Sequence, residues 1–176
     1  MTTAGLIALC SGETGLPFVV IGGIAVNAHG YARDTADLDY IVRRTDRDAW
    51  HRALARHDYE LVHEHENFAQ FVSKRGWIDL DLMFVNDSTF DGILSASQLR
   101  NIGTVAARFP SLEHLVALKL HAAKQDLPHR TFGDIDDIIN LVLANRVDLG
   151  EEKWRALFTK YGTLELYEKV LRATRS

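Results

Sequence analysis

Residues 18–42 read FVVIGGIAVNAHGYARDTADLDYIV, and this stretch decides the fold. A β-branched, apolar run ends at Gly22 and Gly23, which predicts a short buried strand followed by a tight turn. Residues 24–29 predict a short helix that Gly30 terminates. Strand, glycine turn and helix together bring backbone N–H groups and the positive end of a helix dipole to one point, which suits a phosphate group.

An acidic strand is predicted directly after this helix, where Asp37 and Asp39 alternate with apolar residues. Because side chains on a strand alternate between its two faces, the two aspartates share one face, roughly 6–7 Å apart. Carboxylates at this separation repel each other. A Mg²⁺ or Mn²⁺ ion would remove the repulsion, since Mg²⁺ prefers one or two carboxylates together with phosphate oxygens and water. The alternative interpretation is an ordinary hairpin with two aspartates on its solvated face.

A second acidic strand is predicted at residues 77–85, WIDLDLMFV. Here Asp79 and Asp81 share one face, while the opposite face is apolar and belongs to a core. If the two acidic strands are neighbours, three carboxylates can hold two metal ions about 3.5–4 Å apart, as in-line phosphoryl chemistry requires. The alternation alone leaves either Asp79 or Asp81 as the third carboxylate.

Taken together, Gly22-Gly23, Asp37-Leu38-Asp39 and a later strand with a third aspartate resemble the nucleotidyltransferase superfamily that includes DNA polymerase β. The blocks LDLMFV, LVALKLHAA and DIDDIINLV make the sequence most similar to the AbiEii/AbiGii-type nucleotidyltransferases, many of which are toxins of toxin–antitoxin or phage-defence systems. The resemblance covers about residues 16–145. It implies an α/β (α+β) fold with a mixed β-sheet core flanked by helices.

The resemblance also implies roles for single residues. It favours Asp81, directly before Leu-Met-Phe, over Asp79 as the third carboxylate. Many members of the superfamily carry Gly-Ser where this chain has Gly22-Gly23, so the phosphate contact falls to backbone N–H groups. The expected catalytic and metal-binding residues are Asp37, Asp39 and Asp81, and the expected nucleotide-binding residues are Gly22, Gly23, Arg33, Thr35 and Lys119.

Several charged residues have two interpretations each. Arg33 either pairs with a phosphate or balances Asp34 and Asp37. Lys119 lies on the apolar stripe of a helix predicted from about residue 110, so its ammonium either extends to the edge of the helix or reaches the triphosphate. Asp134 and Asp137, three residues apart, form with Arg130 a candidate local group of ion pairs.

Local signals complete the expected architecture. Residues 45–48 predict a capping box for a helix ending near residue 56, and residues 59–65 and 67–73 predict a hairpin. The HEHEN run at 63–67 alternates His and Glu, which is typical of a solvated strand rather than a metal site. A strand is predicted at 102–108, and a helix start at 131–134. The expected domains are a nucleotidyltransferase core at 1–110 and a helical region at 111–176.

Composition bounds the function. The 176 residues are 47% hydrophobic and 25% charged, which is typical of a globular chain, and a net charge of −4 argues against broad electrostatic binding of nucleic acid. A single cysteine excludes a disulfide framework, and the lack of a leader or long apolar run predicts a cytoplasmic location.

The expected function is metal-dependent transfer of a nucleoside monophosphate from an NTP to an acceptor hydroxyl. The acceptor is RNA such as tRNA, a protein or a small molecule, and an antitoxin is the expected protein partner of a toxin-like chain. The alternative is a catalytically silent nucleotide-binding or protein-interaction module of the same fold.

Overall fold

The computed structural model describes residues 1–124 and 128–175, and the side chains of all of these except residues 128–132. The chain divides into two compact units. The first comprises Met1–Ala25 and Asp34–Pro110, and the second comprises Val26–Arg33 and Ser111–Ser176. Helix α2, Gly22–Ala28, therefore begins in the first unit and ends in the second.

A five-stranded mixed sheet forms the centre of the first unit. Its strand order is β1-β2-β5-β4-β3, with β2 and β5 parallel and the other neighbours antiparallel. The two predicted acidic strands are thus neighbours in one sheet. The strands are β1 Val19–Val20, β2 Asp37–Arg43, β3 Tyr59–His65, β4 Phe68–Ser73 and β5 Asp79–Val85.

One face of this sheet is apolar and carries the core of the first unit. Leu38 and Tyr40 on β2 pair with Leu80 and Leu82 on β5, and all four are fully buried. Helix α3, Arg47–Arg56, covers this face through Trp50, whose ring lies 6.0 Å from that of Tyr40. Helix α1, Thr3–Thr14, packs on α3. Helix α4, Asp87–Ser95, packs on β2.

The capping box predicted at residues 45–48 is wrong. Residues Arg44–Asp46 form a short 3-10 turn, and α3 has no side-chain hydrogen bond at its N-cap, Asp46. The Thr45 hydroxyl instead donates to Asp87 Oδ1 at 3.0 Å. A contact between residues distant in sequence has therefore replaced the local cap.

The single strand predicted at 102–108 is also wrong, because two strands occupy this region. Strands β6, Gln98–Ile102, and β7, Val105–Phe109, form an antiparallel hairpin. Gly103 lies in the turn at φ 59°, a left-handed conformation that glycine adopts without strain. The hairpin predicted at 59–73 is confirmed as β3 and β4.

The second unit is helical. It contains the remainder of α2 and four further helices: α5 Leu112–Lys124, α6 Pro128–Ala144, α7 Glu152–Tyr161 and α8 Leu164–Thr174. Helix α6 begins at Pro128 and not at the predicted 131–134, which accords with the tolerance of proline at the first helical position. The core between these helices is apolar and includes Leu120, Ile138, Leu141, Trp154, Phe158 and Val170.

The predicted α/β class with a helical C-terminal third is confirmed. In the part of the chain that the structure describes, none of the helices combines the length and hydrophobicity that crossing a membrane would require.

Candidate active site

Gly22 forms the turn between β1 and α2 and lies directly against Asp39. The Ile21 N–H donates to the Asp39 carbonyl at 2.9 Å, which extends the pairing of β1 with β2 up to the turn. Gly22 has φ 61°, and a Cβ on it would overlap the Asp39 carboxylate and lie 2.9 Å from the Asp39 Cβ. Glycine is therefore required here by both its conformation and the space it leaves for a carboxylate.

Three carboxylates converge beside this turn. Asp39 on β2 pairs in register with Asp81 on β5, and Asp37 precedes Asp39 on the same face of β2. One carboxylate oxygen from each of Asp37, Asp39 and Asp81 can be chosen so that all lie within 4.8 Å of one another. Asp81 is only 3% exposed, whereas Asp37 and Asp39 are half-buried.

The donor set of this cluster fits a divalent cation. Three negative charges at such separations repel one another, and burial of Asp81 makes the repulsion more costly because less water screens it. Carboxylate oxygens are hard ligands that suit Mg²⁺ and Mn²⁺. The absence of a side chain at Gly22 leaves room for the Asp39 carboxylate in this cluster. The residues could therefore hold a metal ion.

Asp79 has a different environment from Asp81, although both side chains lie on the same face of β5. The Asp79 Oδ1 accepts a hydrogen bond from the backbone N–H of Ser73 at 3.2 Å, at the end of the β4–β5 ladder. Among the residues that the structure describes, the group of close carboxylates contains Asp81 and does not contain Asp79. This geometry supports Asp81 as the third carboxylate of the candidate site.

Thr35 contacts one of the three carboxylates. Its hydroxyl lies 3.1 Å from Asp37 Oδ1 and 3.3 Å from the Asp37 carbonyl oxygen, and it can donate to either. Such a bond orients a metal-ligating carboxylate from outside the ligand set. The sequence signal for this contact is a hydroxyl residue two positions before a strand aspartate. The nucleotide contact expected of Thr35 remains a prediction.

In the second unit, Lys119 is part of a group of four charges. Its Nζ lies 2.7 Å from Asp134 Oδ1 and 2.8 Å from Asp137 Oδ2, and the Arg33 Nε lies 2.9 Å from Asp137 Oδ1. The side chains of Lys119 and Asp134 are each 12% exposed, and that of Asp137 is 3% exposed. Two cations and two anions therefore neutralise each other inside this unit.

The ion pairs also keep Lys119 charged. Burial by itself lowers the pKa of Lys119, but the carboxylates of Asp134 and Asp137 act in the opposite direction, and the pKa ends above its ordinary value. The Arg33 guanidinium pairs with Asp137, a partner that neither interpretation of the sequence named. The side chain of Arg130, the third member of the predicted ion-pair group, lies outside the described residues. The nucleotide-binding roles of Arg33 and Lys119 remain predictions.

Asn27 is a positioning residue that the sequence did not reveal. Its Nδ2 donates to the Arg33 carbonyl at 2.9 Å, and its Oδ1 accepts from the Arg33 N–H at 2.8 Å. The side-chain amide of Asn145, directly after the end of α6, donates to the His29 carbonyl at 2.9 Å. These bonds hold the segment that presents Arg33 to Asp137. The only signal in the sequence was a polar residue inside an otherwise apolar helix.

Basic residues of the first unit have acidic neighbours on strand β3. Arg47 pairs with Glu64 at 2.6 Å, and Lys74 pairs with Glu60 at 3.4 Å. Glu60 and Glu64 lie on the exposed strand β3, whose remaining residues after Tyr59 are also exposed. The structure places His63, Glu64 and His65 of the HEHEN run on this strand with exposed side chains, as the interpretation of a solvated strand predicts, and the last two residues of the run lie in the turn after it.

Comparison with known proteins identifies the fold. The chain matches no model of a protein family and no curated protein. Among solved structures, it is similar to an antigenic nucleotidyltransferase-like protein from Paracoccidioides brasiliensis, with a TM-score of 0.60 and 15% identity over 98% of this chain and 90% of the other. It is also similar to ANT(2″)-Ia in complex with adenylyl-2″-tobramycin, with a TM-score of 0.56 and 17% identity over 99% and 98% of the two chains.

A third similar structure is the lincomycin-bound lincosamide antibiotic adenylyltransferase LnuA. Its TM-score is 0.57, with 18% identity over 80% of this chain and 96% of the other. At these identities the similarity establishes the fold alone. The chain has the fold of nucleotidyltransferases, as its resemblance to that superfamily implies.

Proposed function

We propose that the chain is a metal-dependent nucleotidyltransferase, which transfers a nucleoside monophosphate from an NTP to an acceptor hydroxyl and releases pyrophosphate. The observation that carries the proposal is the meeting of Asp37, Asp39 and Asp81 within 4.8 Å beside the Gly22 turn. Neighbouring strands of a mixed sheet supply these carboxylates, in a fold that nucleotidyltransferases share. The aspartates of an ordinary solvated strand would be exposed to water, whereas Asp81 is buried.

Asp37, Asp39 and Asp81 are the residues that would hold Mg²⁺ or Mn²⁺. When bound, the divalent cation neutralises charge on the triphosphate and lowers the pKa of the acceptor hydroxyl. The protein fixes the positions of the carboxylates that would bind the cation. Thr35 holds the carboxylate of Asp37, and the absence of a side chain at Gly22 leaves room for that of Asp39.

Gly22 and Gly23 bind the β and γ phosphates of the donor in this proposal. They begin helix α2, whose first N–H groups have no partner within the helix and are available to an anion. No hydroxyl is present at this turn, so recognition rests on the backbone. Because glycine stands here in place of the serine of many superfamily members, we expect the phosphates to lie close to the main chain, where a Cβ would obstruct them.

The transfer step forms one bond and breaks one bond. The acceptor oxygen attacks the α phosphorus, and a new P–O bond forms as the bond to the bridging oxygen breaks and pyrophosphate leaves in line. The acceptor proton passes to the carboxylate of Asp81, which lies in a nearly water-free environment at 3% exposure. Positioning and charge neutralisation supply most of the rate enhancement.

The finer proposal is a toxin-like enzyme of the AbiEii/AbiGii kind, with RNA such as tRNA, or a protein, as acceptor and an antitoxin as partner. The sequence blocks that resemble this group support it. Two structures of similar fold contain adenylyl-2″-tobramycin and lincomycin, so an antibiotic hydroxyl is the competing acceptor. A cytoplasmic location belongs to the same proposal.

The deciding experiment measures label transfer from each of four α-³²P NTPs, with Mg²⁺ or Mn²⁺, to total RNA, tRNA, a protein lysate, tobramycin and lincomycin. Asp39→Asn is the test variant. Asp48→Asn is its matched control, because Asp48 is an exposed aspartate of the same unit outside the cluster. We expect label in one acceptor class, no label with Asp39→Asn, and full activity with Asp48→Asn.

Two other results would contradict the proposal in different ways. Full activity of a well-folded Asp39→Asn protein would refute the assigned site. Metal-dependent NTP binding without transfer to any acceptor would identify a catalytically silent nucleotide-binding module. Circular dichroism of each variant establishes that a loss of activity is not a loss of fold.

A further inference from the structure

The second unit carries an open groove beside the C-terminal ends of α6 and α8. Its volume is about 450 Å³, and both helices and the segment after α6 line it. The aliphatic residues of its lining are Val142, Leu143, Val147, Leu149 and Leu171. Leu143 is 50% exposed. Burial of such aliphatic surface against another apolar side chain is favourable, so the groove is a candidate docking surface.

Two arginines line the same groove. Within the described part of the chain, neither the guanidinium of Arg146 nor that of Arg175 has an ion-pair partner, and both residues are exposed. Asp148 also lines the groove, and its Oδ1 accepts a hydrogen bond from the Gly150 N–H at 2.8 Å. The rim is therefore net positive around an aliphatic floor. It suits an aliphatic side chain that is flanked by carboxylates.

The backbone at Arg146 gives a second reason to assign this residue a role. The Val147 N–H donates to the Val142 carbonyl at 3.0 Å, and the Arg146 N–H donates to the Leu143 carbonyl at 3.2 Å. This is the Schellman arrangement that ends a helix, and Arg146 is the residue that it places in the left-handed region, at φ 50°. Glycine is favoured there because a Cβ is strained. An arginine at a strained position indicates that its guanidinium acts outside the local fold.

Helix α8 has the complementary features at its other end. Leu164, its first residue, is 55% exposed, and Glu165 and Glu168 are exposed next to it. Neither carboxylate has an ion-pair partner among the described residues. In the described part of the second unit, the exposed large apolar side chains are Leu143 and Leu164. One of them lines the groove, and the other lies beside two unpaired carboxylates.

The helical repeat places these features on one stripe of α8. Leu164 and Leu171 are two turns apart, so they lie on the same side of the helix, about 10 Å apart along its axis. Glu168 follows Leu164 by about one turn, and Arg175 follows Leu171 by about one turn. The stripe therefore runs from an apolar, acidic end to an apolar, basic end that lines the groove.

We propose that this stripe binds the same stripe of a second copy of the chain, with the two α8 helices antiparallel about a two-fold axis. Leu164 of each copy enters the groove of the other, and the carboxylates next to it face the two guanidiniums of the rim. An antiparallel arrangement brings the acidic end to the basic end, and the two-fold axis makes each contact occur twice. A small anion would neutralise the guanidiniums but would leave Leu143 and Leu164 exposed to water. The proposal concerns assembly and does not depend on the proposed transfer reaction.

The first test measures self-association of the full chain by sedimentation velocity, from about 1 µM to about 200 µM. One helix pair buries less surface than a standard interface, so we expect a dimer Kd on the order of 10 µM. Leu164→Ala should raise this Kd about 100-fold, because each dimer loses two anchoring leucines. Leu99→Ala is the matched control and should leave the Kd unchanged, since Leu99 is 65% exposed on β6 in the first unit.

Arg146→Gly separates association from folding. Glycine relieves the strain at the end of α6, so the Tm of this variant should equal or exceed that of the wild type. The dimer Kd should nevertheless rise about tenfold, because each dimer loses two rim ion pairs. An arginine with only a local structural role would leave the Kd unchanged.

Charge reversal tests whether the occupant is a second copy. Glu165→Arg and Arg146→Glu should each be monomeric alone, because both rim contacts of either homodimer would join like charges. An equimolar mixture of the two variants should dimerise, because each rim contact then joins opposite charges. Glu152→Arg is the control for loss of an acidic residue at a helix start, since Glu152 lies in the first turn of α7 as Glu165 does in that of α8.

A wild-type chain that stays monomeric at about 200 µM would overturn the proposal. A dimer whose Kd is unchanged in Leu164→Ala and Arg146→Gly would also overturn it, because another surface would then form the dimer. Failure of the mixed variants to dimerise, when circular dichroism shows both to be folded, would refute the antiparallel pairing of α8.

Discussion

Replacing Gly22 by alanine is expected to disrupt metal binding far more than it disrupts the fold. Two effects add at this position. A residue with a Cβ at φ 61° costs about 1–2 kcal/mol in left-handed strain. The new methyl group would also overlap the Asp39 carboxylate, so that either this carboxylate or the start of α2 must move.

Gly15 provides a matched control that separates the two effects. It has the same φ of 61°, and a Cβ on it would meet no atom within 4 Å. Gly15→Ala therefore carries the backbone strain without the clash. Gly15→Ala should lose about 1–2 kcal/mol of unfolding free energy, and Gly22→Ala should lose at least as much. For a chain of this size, each such loss lowers Tm by roughly 2–8 °C.

Only Gly22→Ala should lose the metal site. Ligand distances in metal sites are held to within about 0.2 Å, and the displacement needed to relieve this overlap is much larger. Loss of a partner outside the ligand set already costs about 10–100-fold in metal affinity, so displacement of Asp39 itself should cost about 100-fold or more. The assay is Mn²⁺ titration in the presence of α,β-methylene NTP analogues, followed by electron paramagnetic resonance of free Mn²⁺.

The reasoning would be refuted if Gly22→Ala bound Mn²⁺ within about threefold of Gly15→Ala. That result would mean that Asp39 relaxes at no cost to the cluster, and that the close approach of Gly22 is incidental. A drop in Mn²⁺ affinity shared by both variants would point to general destabilisation. The thermal melts of the two proteins decide between these results.

Three further predictions concern the surroundings of the site and the core. Thr35→Val should weaken Mn²⁺ binding about tenfold, while Thr35→Ser keeps the hydroxyl bonded to Asp37 and retains affinity. Asp137→Asn should lower the unfolding free energy by about 3 kcal/mol, because it removes one of the two carboxylates that neutralise the nearly buried ammonium of Lys119. The exposed Asp136→Asn should change it by less than about 0.5 kcal/mol. Burial raises the pKa of the Cys10 thiol from 9.0 to about 12. The unfolded chain therefore loses this proton first as pH rises. Stability present below pH 9.0 should fall by about 1.4 kcal/mol per pH unit towards pH 12, and Cys10→Ala should remove that contribution to the slope.

Each of these has a result that contradicts it. Equal Mn²⁺ affinity in Thr35→Val and Thr35→Ser would exclude a role for the hydroxyl. Urea unfolding that ranks Asp137→Asn with Asp136→Asn would show that the ion pairs are energetically neutral. Parallel stability–pH curves for the wild type and Cys10→Ala would show that the thiol ionises alike in both states.

Two local predictions from the sequence failed, the capping box of α3 and the strand at 102–108. The Thr45 hydroxyl was expected to cap α3, yet it bonds to Asp87 far along the chain. The strand expected at 102–108 is instead interrupted by the turn at Gly103, which separates β6 from β7. The alternation of side chains over so few residues does not show where such a turn lies. The first error arises because a short-range pattern does not show which distant segments meet.

The candidate site was predictable to a different degree in each of its parts. Alternation placed Asp37 with Asp39, and Asp79 with Asp81, because the two-residue period of a strand depends only on the backbone. It could not separate Asp79 from Asp81. That distinction comes from the Ser73 N–H, which donates to the Asp79 carboxylate, and from the group of close carboxylate oxygens, which among the described residues contains Asp81 and not Asp79. The tertiary structure was also needed to show that Asp134 and Asp137 on α6 are the ion partners of Lys119 on α5.

The sequence by itself determined the glycine turn, the two acidic strands, the hairpin of β3 and β4 and the helical C-terminal third, since propensity and periodicity act over a few residues. Only the tertiary structure decided the adjacency of β2 and β5 and the overlap that excludes a Cβ at Gly22. Register and close approach are properties of chain segments far apart in sequence. They are selected by the packing of the whole sheet, which no local pattern encodes.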